Sequence, residues 1–319
     1  PISTVLIAII LGIIMGNAFT PRPGMMFGLD FTQQYILKLG IICLGIRLSF
    51  EEFVKFGSIA IPLIIVCILA VLILIKILIK KVPISSKMSY LIAIGTSVCG
   101  ATAIVATAPV INAKKTEIAY AIANITLFGV IAMIVYPYFA EWFFSEDNLK
   151  AGLFLGTAIH ETSQVAAAGL IYDQQFNSPE TLNVATVTKL IRNTFLIIMI
   201  PLFAFLYNRG EMKGNSYSIL NIFPYFVLGF IGMILVRNIG DQIFLIESKN
   251  QYYWLNLIEI IKILATTFLT MAMAAVGISI NLSELKSMGY KPFVVGFIAA
   301  VTVGIVSLIF IEIILEYFI

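Results

Sequence analysis

Gly95-Thr96-Ser97-Val98-Cys99-Gly100-Ala101-Thr102-Ala103-Ile104-Val105-Ala106 and Gly156-Thr157-Ala158-Ile159-His160-Glu161-Thr162-Ser163-Gln164-Val165-Ala166-Ala167 are versions of one another, 61 residues apart. Each opens on Gly-Thr, carries small or hydroxyl-bearing residues in its middle and ends in an Ala-rich apolar half. Both interrupt a hydrophobic segment in which a membrane helix would otherwise run on. A broken helix frees N–H and C=O groups at membrane depth, tolerated only where they meet protein or line a cavity. Paired, Gly-interrupted apolar segments point to the binding site of a secondary transporter built from repeats. The expected fold is therefore an all-α polytopic membrane protein with inverted-topology repeats and two interrupted helices, re-entrant or crossing.

Composition points the same way. The chain is 60% hydrophobic and 12% charged, with mean hydropathy +1.02, which excludes an ordinary soluble domain. Apolar runs of spanning length recur near 2–17, 36–50, 57–80, 116–140, 183–208, 219–236, 257–280 and 292–318. With the interrupted segments near 88–112 and 150–172 they make about ten membrane-embedded elements. No stretch is long and polar enough for a second domain, so 1–319 reads as a single transmembrane transporter domain. The sequence opens at Pro1, already inside an apolar run and without an initiator Met, so further residues are expected upstream.

Several chemistries are excluded. Cys43, Cys67 and Cys99 lie in apolar segments at spacings that suit neither a disulfide framework nor a zinc site. His160 is the sole histidine; it and Glu161 open a zinc-protease motif, but Gln164 and Val165 follow where the second His is needed. No phosphate-cradling Gly loop and no basic-aromatic nucleic-acid surface occurs. An enzyme, a metal and a resident cofactor are therefore not expected. The expected partners are the bilayer and a small anionic solute, with a homodimer left open.

Loop charge gives a topology. Lys-rich loops mark the cytoplasmic side, and the loops at 80–87 (Lys80, Lys81, Lys87) and 113–117 (Lys114, Lys115) are both basic. The loops at 141–149 and 173–180 carry Glu141, Glu146, Asp147, Asp173 and Glu180 and are poor in Lys and Arg. If each interrupted segment is a re-entrant hairpin, every basic loop falls on one side, Arg209, Lys213, Lys286 and Lys291 included. The C-terminus, with Glu312 and Glu316, then falls outside. The two hairpins enter from opposite faces, as an inverted repeat requires. A second internal match agrees: Gly45-Ile46-Arg47-Leu48-Ser49 through Gly57 resembles Gly277-Ile278-Ser279-Ile280-Asn281 through Gly289. Two fully crossing broken helices remain the rival arrangement.

The strongest chemical signal is Thr188-Lys189-Leu190-Ile191-Arg192-Asn193. Lys189 and Arg192 are three apart, so they share a face of an apolar helix. Either residue at the centre of a membrane helix costs about 2.5–3.5 kcal/mol on insertion scales, an expense tied to a partner or a pathway. They are read as anion-attracting; the bland alternative is snorkelling to the outer surface. Glu161 is the carboxylate at the second tip. It serves either as the group that couples transport to H⁺ or Na⁺, with His160 beside it, or as a counter-charge to Lys189 and Arg192. Thr162, Ser163 and Gln164 can cap the half-helix that follows, and Thr96, Ser97, Gly100 and Thr102 offer the matching donors from the first tip. Converging helix N-termini would then build an anion site. Arg47 is read as an interface residue, Glu259 and Lys262 as a pair on one helix, and Asn124 and Thr126 as weaker cavity candidates.

These blocks, with Glu117-Ile-Ala-Tyr-Ala-Ile-Ala and Ala185-Thr-Val-Thr-Lys-Leu-Ile-Arg, resemble the YeiH-like family of bacterial membrane proteins over nearly the whole chain. Glu161 stands where that family's pattern leads one to expect Asp. The resemblance implies a bacterial inner-membrane protein, an export role for sulfate, and kinship with cation/proton antiporters and bile-acid-type anion transporters, whose mobile core moves against a scaffold. The expected function is ion-coupled secondary transport of a small anion, sulfate or an organosulfonate. The alternatives are a cation/proton antiporter and a non-transporting membrane sensor or structural protein.

Overall fold

The computed structural model describes residues 3–19, 23–82, 84–208, 225–244, 250–280 and 290–318. Arg209, Lys213, Lys286 and the second internal match beyond Ile280 lie outside them. The described residues are helical with no strand. Helices α1 (Thr4–Ala18), α2 (Pro23–Phe31) and α3 (Leu37–Leu44) come first, a π-helical turn joining α2 to α3 and a 3₁₀ turn ending at Arg47. The long α4 (Phe50–Lys81) follows, then α5 (Ser86–Ser97), α6 (Ala101–Thr107) and α7 (Lys115–Phe144). Next come α8 (Asn148–Ala158), α9 (Thr162–Phe176), α10 (Pro179–Thr194) and α11 (Leu196–Asn208). The last are α12 (Phe226–Phe244), α13 (Gln251–Ser279) and α14 (Tyr290–Phe318). Six of the described helical stretches are long and apolar enough to cross a membrane, among them Pro179–Phe203, which joins α10 to α11. The chain is a multi-pass α-helical membrane protein.

Side-chain caps set where several helices begin. Ser49 and Glu52 form a reciprocal capping box at the start of α4. Ser85 accepts from the Met88 N–H at α5, and Asp147 from the Lys150 N–H at α8. One carboxylate ties two helices together: Glu117 accepts from the Ser85 hydroxyl at 2.5 Å and from the Lys114 N–H at 2.8 Å. The start of α5 is thereby held beside the start of α7. Lys87, donating to the Asn112 carbonyl at 2.6 Å, holds it beside the residues that follow α6.

Two groups of helices pack among themselves more than with each other. In one, α1, α3 and α12 gather around α13; in the other, α4 to α11 and α14 pack on one another, with α10 held mainly between α4, α8 and α9. Helix α10 runs parallel to α8, since Gly152 lies on Thr181 and Val184, and Gly156 on Ala185 and Thr188. A Cβ at either glycine would approach a side-chain Cβ of α10 to 2.5–2.6 Å, so only glycine permits this spacing. Helix α9 runs antiparallel to α10, with Thr162 bonded to Asn193 and Gly169 against Leu182. Asn148 at the start of α8 and Ser178 just after α9 are hydrogen bonded at 2.7 Å. Each pair, α5 with α6 and α8 with α9, therefore begins and ends at one place.

Candidate functional site

The breaks at 98–100 and 159–161 meet beside the C-terminal part of α10, at the middle of the joined α10–α11 stretch. Lys189 stands 10 residues from Pro179 and Arg192 11 residues from Phe203 in the continuous 25-residue stretch. Both are 0% exposed. Snorkelling is excluded, because their charged ends point at protein. Lys189 donates to the carbonyls of Val98 at 2.8 Å, Ile159 at 3.0 Å and His160. Arg192 donates through Nε to Ser97 at 2.8 Å, through Nη1 to Thr157 at 2.5 Å, and through Nη2 to Thr96.

All six acceptors lie at or just past the C-terminal ends of α5 and α8. The last carbonyls of a helix have no partner inside it and carry the negative end of its dipole. The two cations answer both needs for both helices. The N-termini expected from sequence to converge, those of α6 and α9, lie at the same two breaks, with the Ala101 N–H on Glu161 and Thr162 on Asn193. What lies between two like charges on one face is a shell of carbonyl oxygens, and the three ammonium hydrogens of Lys189 are all engaged. Lys189 and Arg192 are thus charge sources and clamps, each holding one break to the other.

The acceptors are also paired by the internal repeat. Thr96 and Thr157, both bound by Arg192, are 61 residues apart, and so are Val98 and Ile159, both bound by Lys189. The next equivalent pair, Gly100 and Glu161, touch each other. Gly100 has φ +61°, and a Cβ there would sit 2.4 Å from the Glu161 Cγ. Glu161 itself accepts from the Ala101 N–H at 3.2 Å, in the first turn of α6. A carboxylate there suits the positive end of the α6 dipole. Among the described residues Glu161 makes no ion pair with Lys189 or Arg192.

The other sequence candidates divide. Gln164 is buried; its Oε1 accepts from the Glu161 N–H and its Nε2 donates to the Thr126 carbonyl, both at 3.3 Å. Thr162 accepts from the Asn193 amide at 2.9 Å. Ser163 is buried in the first turn of α9. Thr102 is exposed on α6 and meets the cluster through its side-chain hydrogen bond with Cys99. Asn124 donates to the Pro292 carbonyl at 2.6 Å, tying α7 to α14. His160 is 0% exposed and neither ring nitrogen has a partner. The hydroxyls of Thr96, Ser97 and Thr188 and the Asn193 Oδ1 are likewise buried and unpartnered. Unpaired polar atoms of this kind are uncommon in proteins and each calls for a reason. Five residues carrying them gather around Lys189 and Arg192. Thr188 and Asn193 are not among the candidates the sequence offers, although both stand in the polar run that singles out the two cations.

The N-terminal ends of α8 and α10 adjoin through Asn148, Ser178 and Thr181. The start of α5 lies at the far end of the α10–α11 rod, where Tyr90 meets Phe203 edge to face with ring centres 5.9 Å apart. The two helix pairs therefore approach the centre of the rod from opposite ends.

The family model described as conserved hypothetical protein 698 matches residues 1–296. A UPF0324 membrane protein of Streptococcus agalactiae serotype V is 36% identical, over 94% of this chain and 86% of its own length. One from Fusobacterium nucleatum is 34% identical, over 97% and 89%. The UPF0324 inner membrane protein YeiH of Escherichia coli is 30% identical, over 93% and 81%. No solved structure matches the chain.

Proposed function

This chain belongs to the UPF0324 membrane protein family, and from that premise we propose that it is a secondary transporter of a small anion. The observation that carries the reading is the buried crossing, where two basic side chains stand with one carboxyl group, an excess of one positive charge when all three are ionised. The unpartnered hydroxyls of Thr96, Ser97 and Thr188 and the His160 ring stand beside that charge. A buried excess charge is costly unless something neutralises it, and a small anion with several acceptor oxygens would neutralise it and take those donors. Sulfate or an organosulfonate fits this description. Lys189 and Arg192 supply the field, and the hydroxyls and imidazole supply the contacts. Glu161, with His160, is the group placed to couple the anion to H⁺ or Na⁺, because substrate charge and carboxylate charge bias one another at this range.

The same reading takes the helix pairs as re-entrant hairpins of an inverted repeat, in a chain of ten membrane-embedded elements within a bacterial inner membrane. The adjoining ends of each pair and the opposite approach of the two pairs support it. The basic ends, at Lys87 and Lys114, then face the cytoplasm. The helix group around α10 would be the mobile core and the group around α13 the scaffold.

Purified protein in proteoliposomes tests the proposal. Sulfate-dependent flux is expected, with weaker apparent affinity in Ser97→Ala and Thr188→Val, each of which removes one unpartnered hydroxyl. Glu161→Gln is expected to bind sulfate and lose accumulation driven by a pH or Na⁺ gradient. Flux that follows a cation and ignores the anion would make the chain a cation/proton antiporter instead. Absence of any flux would point to a sensor or structural protein.

A further inference from the structure

A second polar feature lies away from the crossing. A cavity of about 800 Å³ is bounded by the 3₁₀ turn at Arg47, the first turns of α4 and α10, and the middle of α13. It falls at the boundary between the two helix groups. Glu259 and Lys262 stand 8 and 11 residues into the 29-residue α13 and line it. Charged groups that deep in a membrane helix mark a partner, a water-filled path or a ligand. They make only a loose pair, 3.7 Å apart, with side chains 65% and 36% exposed. Across the cavity, Arg47 is oriented by Asp173 at 2.9 Å, while its Nε is buried without a partner. Glu52 and Glu180 complete the charged lining.

The lining thus carries two cations and three carboxylates, drawn from four different elements. A bare dianion meets a carboxylate excess here, and a bare cation meets Arg47 and Lys262. A molecule bearing one charge of each sign meets complementary groups at both ends. We infer that this cavity is a binding chamber for a small zwitterion, its anionic group at Arg47 and Lys262 and its ammonium among Glu52, Glu180 and Glu259. The inference stands on residues apart from the crossing, so neither it nor the anion-transport reading falls with the other.

The test is ligand-induced thermal stabilisation of the purified full chain, with β-alanine as the zwitterion, sulfate as the pure anion and methylammonium as the pure cation. β-Alanine is expected to raise the unfolding midpoint in a saturable way. Lys262→Gln and Glu259→Gln are each expected to weaken its half-saturation by about tenfold, one lost charge contact apiece. Both side chains are partly exposed and bonded only loosely to each other, so these variants fold, and their unliganded midpoints check it. Methylammonium is expected to do little. Sulfate, acting at the crossing, is expected to respond equally in wild type and in both variants. Absence of saturable stabilisation by β-alanine overturns the inference. So does β-alanine binding that both variants leave unchanged, or sulfate binding that both variants abolish.

Discussion

The two helix pairs share a sequence pattern and differ in what holds them. In the second pair, α8 is buried along all but its first turn, and so are ten successive residues of α9. Its break carries its own polar equipment: His160, Glu161 and a Gln164 that reaches back to the Glu161 N–H. In the first pair, α6 has seven residues, no side-chain cap of its own, and Thr102 and Val105 exposed. Where the second pair has Glu161, the first has Gly100, and the carboxylate of one fills the space left by the hydrogen of the other. The second pair is therefore the more deeply buried, chemically equipped half. The first is a lighter element that borrows its N-terminal cap across the repeat. Repeats that have diverged this way can keep one backbone plan while dividing the chemistry between them.

The largest effect that sharpens this comparison belongs to the clamps, which serve both pairs at once. Lys189→Ala or Arg192→Ala leaves three buried carbonyls without donors. Each unsatisfied group costs about 1–3 kcal/mol, so the loss rivals the whole stability of many domains. Either variant is expected to lose its monodisperse gel-filtration peak or unfold at much lower temperature. Full stability in both would mean that the carbonyls find other partners and that the clamps are dispensable.

Gly100→Ala comes next. It combines φ +61° with a Cβ placed 2.4 Å from Glu161, and strain of this kind costs about 1–3 kcal/mol. Thermal unfolding should report it, and Gly100→Ala with Glu161→Ala should recover the steric part. If the single variant matches wild type, the two tips do not interlock.

Glu161→Gln keeps the size of the side chain and removes its charge from the α6 N-terminus. A loss of about 1 kcal/mol or less is expected, read as a small fall in midpoint. Thr102→Ala is the smallest, within about 0.5 kcal/mol of wild type as for an exposed site, and without effect on sulfate binding. A large effect there would bring the exposed face of α6 into the site.

Much of this was legible in the sequence. The two breaks, their 61-residue spacing and the buried pair at 189 and 192 all stand out against an apolar background. The polarity of the meeting was not legible. Each break presents one helix C-terminus and one N-terminus, and no periodicity encodes which of the two the side chains of α10 meet. The Gly100–Glu161 contact was hidden for a related reason: a 61-residue sequence match does not say which matched positions lie against one another. Thr102 looked equivalent to Ser163 by alignment, yet one is exposed and the other buried, because α6 lies at the edge of the packed group and α9 within it. The cavity at Arg47 and Lys262 joins residues more than 200 positions apart, which only the tertiary fold brings together.

The comparison rests on two pairs that enter from opposite ends and meet tip to tip, and vectorial thiol labelling tests that most directly. In a background with Cys43, Cys67 and Cys99 replaced, single cysteines at Ser86, Thr116, Glu146 and Glu180 flank the two pairs at exposed positions. A membrane-impermeant reagent applied to cells and to inverted vesicles should label 86 and 116 from the cytoplasmic side only, and 146 and 180 from the opposite side only. Labelling of 86 and 116 from different sides, or of 146 and 180 from different sides, would make the broken helices cross the membrane and contradict the account.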